Sequence, residues 1–234
     1  MNHRSLLATP LEIAFRTVGA RLRASRTITR WLFGVDPLPG TRAAQWDMAL
    51  LALRGALLQE IQGPLRVLEV GTGDLGLLSL FLARHRPEAT ITAVDINPTF
   101  AANARRNAAH NRAAVDVRVS DLFGDVPGPF DLVVTIPPYV PTDWGRKHAR
   151  WSPAPDPDCV WDGGPDGLDL VRRFLAGVHG VLAPGGRVLL TTSDFYHSPA
   201  EVERVLTAWE VLRTWRGRFN PTRLWVLTPA RGWP

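Results

Sequence analysis

Short apolar runs bounded by turn residues alternate, along this 234-residue chain, with stretches whose apolar positions recur every three or four residues. Val67, Leu68 and Val70 form a run that predicts a buried strand, broken by Gly71 and Gly73 into a tight turn. From Leu75, LGLLSLFLARH is apolar enough for a helix lying on a sheet. ATITAVDIN (89–97) predicts a second strand, and Pro98 opens a helix running to Asn111. Val115–Val119 alternates as a third strand, and FDLVVT (130–135) predicts a fourth, ended by Pro137 and Pro138, which have no N–H for a ladder. Further on, GLDLVRRFLAGVHGVL is amphipathic, APGG reads as a turn and RVLLTT (187–192) as a fifth strand. Residues 199–208 predict a helix, and WEVLRTW and RLWVLTP two last strands. Strands and helices in alternation predict an α/β fold.

Ahead of this pattern, Trp46, Leu50, Leu53, Leu57 and Ile61 repeat at helical spacing up to Gly63-Pro64. GVDPLPG (34–40) reads as a turn-rich linker. Leu11, Ala14, Phe15, Val18 and Leu22 give one apolar helix face. Residues 1–33 also carry six arginines against one acid, the composition of a transit peptide or basic arm, but the regular apolar face favours a helix. The expected division is a helical appendage over 1–62 and a main domain over 63–234.

Composition narrows the setting. The chain, 45% apolar, is long enough for one such domain plus a short appendage. A lone cysteine, Cys159, excludes an internal disulfide, offers no metal cluster and suits a cytoplasmic location. No apolar run reaches the ~18 residues of a membrane span. The charge of +5 would suit nucleic acid, yet every basic residue but Lys147 is arginine, a bias that a GC-rich genome also produces. Nucleic acid is therefore a possible partner but not the favoured one.

The chemistry centres on VLEVGTGDLG (67–76). A strand, a glycine turn and a helix let backbone approach a ligand at the carboxyl end of a strand. Gly71, Gly73 and Gly76 also satisfy the dinucleotide pattern G-x-G-x-x-G, which leaves a nicotinamide oxidoreductase open. Glu69 separates the two. A carboxylate is awkward beside a pyrophosphate and suits the ammonium of S-adenosylmethionine, which carries no phosphate. Asp95 lies where an acid would bond both hydroxyls of a ribose, or would cap the next helix. Asp121 can accept from an adenine amino group while Leu122 packs on the ring; a plain turn is the other reading. Thr72 and Ile96 complete the expected cofactor set.

Taken in order, VLEVGTG, TAVDINP with Asn107 behind it, DLFGDVPGPFDLVVTIPPYV, WDGGPDGLDLVRR and LAPGGRVLL resemble class I S-adenosylmethionine-dependent methyltransferases, and within them the release-factor glutamine methyltransferases, over about residues 65–228. The resemblance implies a seven-stranded, mostly parallel sheet with helices on both faces and the last strand antiparallel. It also implies that Glu69, Gly71 and Gly73 line the methionine part of the cofactor, Asp95 holds the ribose, and Asp121 with Leu122 meets the adenine. Relatives have Asn, Asp or Ser before Pro-Pro-Tyr to bond the acceptor nitrogen; this chain has Ile136.

The acceptor side is expected at Ile136, Pro137 and Tyr139, with Tyr139 packing on a planar group. Residues 140–165, rich in proline and holding Trp144, Trp151 and Trp161, read as a lid. His148 is the favoured candidate base, with Asp143 and His197 behind it and Tyr196 as a donor. An apolar residue at 136 and tryptophans in the lid point to a small aromatic or heterocyclic metabolite as acceptor, in a biosynthetic pathway. The alternatives are a protein glutamine, a nucleic-acid base, or a cofactor-binding module without catalysis.

Overall fold

Apolar runs bury into one seven-stranded sheet: β1 (Arg66–Val70), β2 (Thr90–Asp95), β3 (Val115–Val119), β4 (Phe130–Thr135), β5 (Leu182–Ser193), β6 (Trp209–Arg216) and β7 (Thr222–Pro229). The computed structural model describes residues 25–41, 48–124, 126–149, 158–216 and 221–230, without the side chains of 48, 52, 53, 148, 149, 158 and 159. The strand order is β3-β2-β1-β4-β5-β7-β6, and β7 alone runs against its neighbours. The fold expected from the sequence is present. The order reverses between β1 and β4, and Thr135 Oγ1 donates to the Val70 carbonyl at 3.0 Å, tying the two strand ends together.

Helices cover both faces because successive strand residues point to opposite sides. On one face Val67, Leu132, Leu189 and Leu224 pack beneath α1 (Arg26–Phe33), α2 (Met48–Glu60) and α3 (Leu77–His85). Ala93 and Val117 take the small residues Ala101 and Ala104 of α4 (Pro98–His110). On the other face Leu68, Val133, Val188 and Leu190 meet α7 (Asp169–Gly177) and α8 (Pro199–Glu203). Between the two groups in the chain stand α5 (Thr142–Ala149) and α6 (Asp158–Trp161).

Three predicted elements differ. APGG lies inside β5: Phe130 pairs with Leu182 and Leu132 with Arg187, so residues 183–186 bulge out of an uninterrupted strand. α8 stops at Glu203, after a Ser198–Glu201 capping box, because the chain then tightens to bury Leu206 and Trp209. The linker is fixed: the Asp36 amide donates to Asn111 Oδ1 at 2.8 Å and the Leu38 amide to Asn107 Oδ1 at 2.9 Å. The predicted face at Leu11–Leu22 and Trp46 lie outside the described residues. Among those described, no helix is long and apolar enough to cross a membrane.

One buried carboxylate ties α2 to the sheet. Glu60, with a side chain 1% exposed, meets Arg187 of β5 through both side chain and carbonyl, and Arg213 of β6 at 3.1 Å. Removing Arg187 leaves the buried carboxylate to Arg213, with both of the Glu60 bonds to β5 lost. Arg187→Met is therefore expected to cost about 1.5–3 kcal/mol of unfolding free energy in urea, and Glu60→Met in the same chain to restore part of it.

Candidate active site

Positive φ at Gly71 (+81°) and Gly73 (+68°) turns the chain sharply at the end of β1. The Gly71 and Thr72 amides both donate to the Val94 carbonyl of β2 at 2.9 Å. A Cβ at either glycine would meet nothing within 4 Å, so both face open space that a ligand can fill. Three acids surround the turn, Glu69, Asp74 and Asp95, each less than a tenth exposed. That concentration of carboxylate repels a pyrophosphate and leaves the dinucleotide reading without support.

Glu69 braces the turn. Its Oε2 accepts from Thr72 Oγ1 at 2.9 Å, from the Ser79 amide at 3.0 Å and from the Ser79 hydroxyl, in the first turn of α3. Burial pushes its carboxyl up to about 7; hydrogen bonds from Ser79 and Thr72 oppose the rise and the nearby Asp95 charge adds to it. Asp95 accepts from the Gly73 amide at 2.8 Å and the Asn97 amide at 2.9 Å, one on each oxygen. A carboxylate has about four acceptor positions, so two remain for a ligand. Burial raises the Asp95 pKa, against these two bonds. Asn103 Nδ2 donates to Asp74 at 2.6 Å, and Asn107 is fully buried with its amide turned to the linker and to the Asn103 carbonyl.

Beyond Asp95, Ile96 stands 53% exposed at the rim of the cleft. Asp121 does not point freely into it: Arg173 of α7 holds both oxygens, at 2.9 and 3.2 Å. Leu122 adopts a left-handed backbone (φ +52°), uncommon for a bulky side chain, and Ser120 Oγ donates to its carbonyl at 3.2 Å. Such outliers are kept where a structure must aim a residue.

On the other side of the turn, Ile136 packs against the core and Pro137 is buried directly after β4. The stretch read as a loop lid contains α5 and α6, closed by a bridge between Val140 and Asp162. The Trp161 ring packs against Gly145, where an added Cβ would come within 2.0 Å of it, and so pins α5. Trp144 packs edge-on against Tyr196, and Tyr139 lies 6.0 Å from the Tyr196 ring. Asp143 is exposed on α5, while the side chain of His148 and all of Trp151 lie outside the described residues. His197 is not a poised base. It is buried, its Nε2 is bonded to the Asp166 carbonyl at 2.9 Å, and it supports the turn at Gly167 beside the Tyr139 carbonyl. Sequence reading missed Ser79, Asn103 and Phe195; the aromatic pair directly after the last central strand was the available signal for Phe195.

Residues 47–149 match the family described as Methyltransferase small domain. The release factor glutamine methyltransferase of Deinococcus radiodurans is 40% identical over 162 residues, which cover 69% of this chain and 57% of that protein. The ribosomal protein uL3 glutamine methyltransferase of Bradyrhizobium diazoefficiens is 36% identical, over 58% of this chain and 43% of its own. A methyltransferase from Pyrococcus furiosus has a similar fold, with a TM-score of 0.62, 20% identity, and coverage of 91% of this chain and 98% of its own. The chain shares the methyltransferase fold and, over residues 47–149, the methyltransferase small-domain pattern. It spans about half the length of the curated relatives it matches.

The comparisons correct the acceptor expectation. Both curated relatives are named for a glutamine in a protein, so a small aromatic metabolite, a small-molecule partner and a biosynthetic role do not stand. Ile136 misled because it removes a side-chain acceptor while leaving backbone carbonyls in place, and Trp161 misled because it packs on α5 itself.

The raised carboxyls around the glycine turn set a pH dependence. Glu69 holds its proton in the fold above the range where it loses it unfolded, so its contribution to stability is present below about pH 4.5 and lost as pH rises through about 7. Its share of the slope is at most ~1.4 kcal/mol per pH unit. Urea midpoints between pH 5 and 7 are expected to decline less in Glu69→Gln than in the wild type.

Proposed function

We propose that the chain binds S-adenosylmethionine and methylates the side-chain amide nitrogen of a glutamine in a protein, in the cytoplasm. The observation that carries this reading is the juncture of Pro137-Pro138-Tyr139, at the end of β4, with the Gly71–Gly73 turn of β1, in a chain akin to protein glutamine methyltransferases. When bound, S-adenosylmethionine supplies an activated methyl group on a cationic sulfur.

The residues fit that cofactor. Gly71, Thr72 and Gly73 offer an open backbone cradle above Glu69, whose ionised form an ammonium group favours by drawing its raised pKa back down. Asp95 has acceptor positions left for ribose hydroxyls, and Ile96 and Leu122 present apolar surface to adenine. Asp121 reaches the adenine amino group only if shared with Arg173. On the acceptor side Pro137 stiffens the strand end and the Ile136 carbonyl, not its side chain, accepts from the amide. Tyr139 closes the pocket. Catalysis of this kind rests on position: the amide nitrogen must be held in line with the methyl group. As the nitrogen's bond to carbon forms and the carbon–sulfur bond breaks to leave a neutral thioether, the nitrogen's proton passes to water.

The test is methyl transfer to a release factor or to ribosomal protein uL3, with mass spectrometry locating the methyl on one glutamine. Transfer to neither would reject the reading. Asp95→Ala is expected to weaken S-adenosylmethionine binding by about 1.5–3 kcal/mol in calorimetry, as loss of a charged hydrogen-bond partner does. Ile136→Asn restores a side-chain acceptor for the amide. With one hydrogen bond contributing about 0.5–1.5 kcal/mol, turnover on the protein should rise by about 2- to 10-fold. A fall in turnover would mean that the amide is not held at this position.

A further inference from the structure

Four aromatic rings from three parts of the chain meet beyond the carboxyl ends of β4 and β5. Tyr139 follows β4, Trp144 sits on α5, and Phe195 and Tyr196 follow β5. Trp144 lies 5.0 Å from Tyr196 and 5.8 Å from Phe195 between ring centroids, both edge-on, and Phe195 lies 4.9 Å from Tyr196. Rings packed this closely leave no slot between them for a side chain. They present a rim to the outside, and Phe195 is its outermost member, 59% exposed.

The exposure does not come from a loose loop. Asp194 accepts two hydrogen bonds from Arg223, at 2.9 and 2.8 Å, and an ion pair from Arg216 at 3.0 Å. The Phe195 amide donates to Ser193 Oγ, and the Tyr196 and His197 amides to the Ser193 carbonyl at 3.0 Å. A large apolar ring held in water by a fixed backbone marks a contact surface. Its position fixes what it touches. The rim is continuous, through Tyr196 and Tyr139, with the strand end where the acceptor amide is placed. There Ile136 offers no side-chain hydrogen bond, so the acceptor needs contacts away from its amide.

We infer that Phe195 and Trp144 determine substrate specificity by packing against the main chain that flanks the acceptor glutamine. This rests on the protein-glutamine reading of the same site. The occupant is an extended, exposed loop of the acceptor protein, whose peptide planes lie on the rings.

The experiment is steady-state kinetics with a release factor as substrate, for wild type, Phe195→Ser and Phe195→Trp, with S-adenosylmethionine affinity measured by calorimetry in each. Stacked contacts of this kind predict a rise of about 3- to 10-fold in KM for the protein in Phe195→Ser, with kcat nearly unchanged. Phe195→Trp keeps the ring and is expected to retain a KM near the wild-type value. Cofactor affinity should match the wild type in both, showing the fold intact. Trp144→Phe, the milder change at a half-buried position, should raise KM in the same direction. An unchanged KM in Phe195→Ser, with glutamine methylation by the wild type intact, overturns the rim alone. Absence of glutamine methylation by the wild type overturns the reading of the site, and the rim with it.

Discussion

The Glu69 carboxylate is the constraint on which the candidate site depends. It is buried where β1 ends, and it collects the Thr72 hydroxyl, the Ser79 amide and the Ser79 hydroxyl on one oxygen. Those bonds fix the glycine turn between strand and helix and satisfy one of the open N–H groups at the start of α3. Asp95 does the matching work from β2, taking the Gly73 amide from the far side of the turn. Two desolvated acids hold one loop, and any ligand there meets a negative field that the fold has already set in place. A cation suits that field and a diphosphate does not.

The sheet was legible in the sequence because β1, β2 and β4 are buried on both faces and read as apolar runs, while the edge strand β3 alternates. Val115–Val119 and Phe130–Thr135 carry the same bounds in structure and sequence reading. The elements that differ are those decided by distant partners. Residues 183–186 look like a turn, yet they bulge within β5 because Leu182 still finds Phe130. The linker around Asp36 looks flexible, and only the Asn107 and Asn111 side chains, some seventy residues on, show why it is fixed.

The site was legible in part. Gly71, Gly73 and Asp95 announce themselves by spacing, because backbone turns and strand ends are local. Roles set by tertiary neighbours were not legible. His197 looks like a base until its ring is found under Gly167, and Asp121 looks free until Arg173 reaches it across fifty-two residues. The Ile136 side chain pointed to a small aromatic or heterocyclic acceptor, which the curated relatives overturn. The Ile136 backbone carbonyl, which no side-chain change removes, was given too little weight.

The pairing of Asp194 with Arg216 and Arg223 has a consequence for how this domain can be divided. Every recognisable motif ends before the last hairpin, and a minimal fragment designed on motifs would stop near residue 208. Such a fragment would keep the glycine turn and Pro-Pro-Tyr and lose both guanidinium groups that seat the loop after β5. The final two strands thus hold the loop after β5 in place from outside the motifs. Splitting, permuting or grafting the domain has to carry β6 and β7 along with the motifs they support.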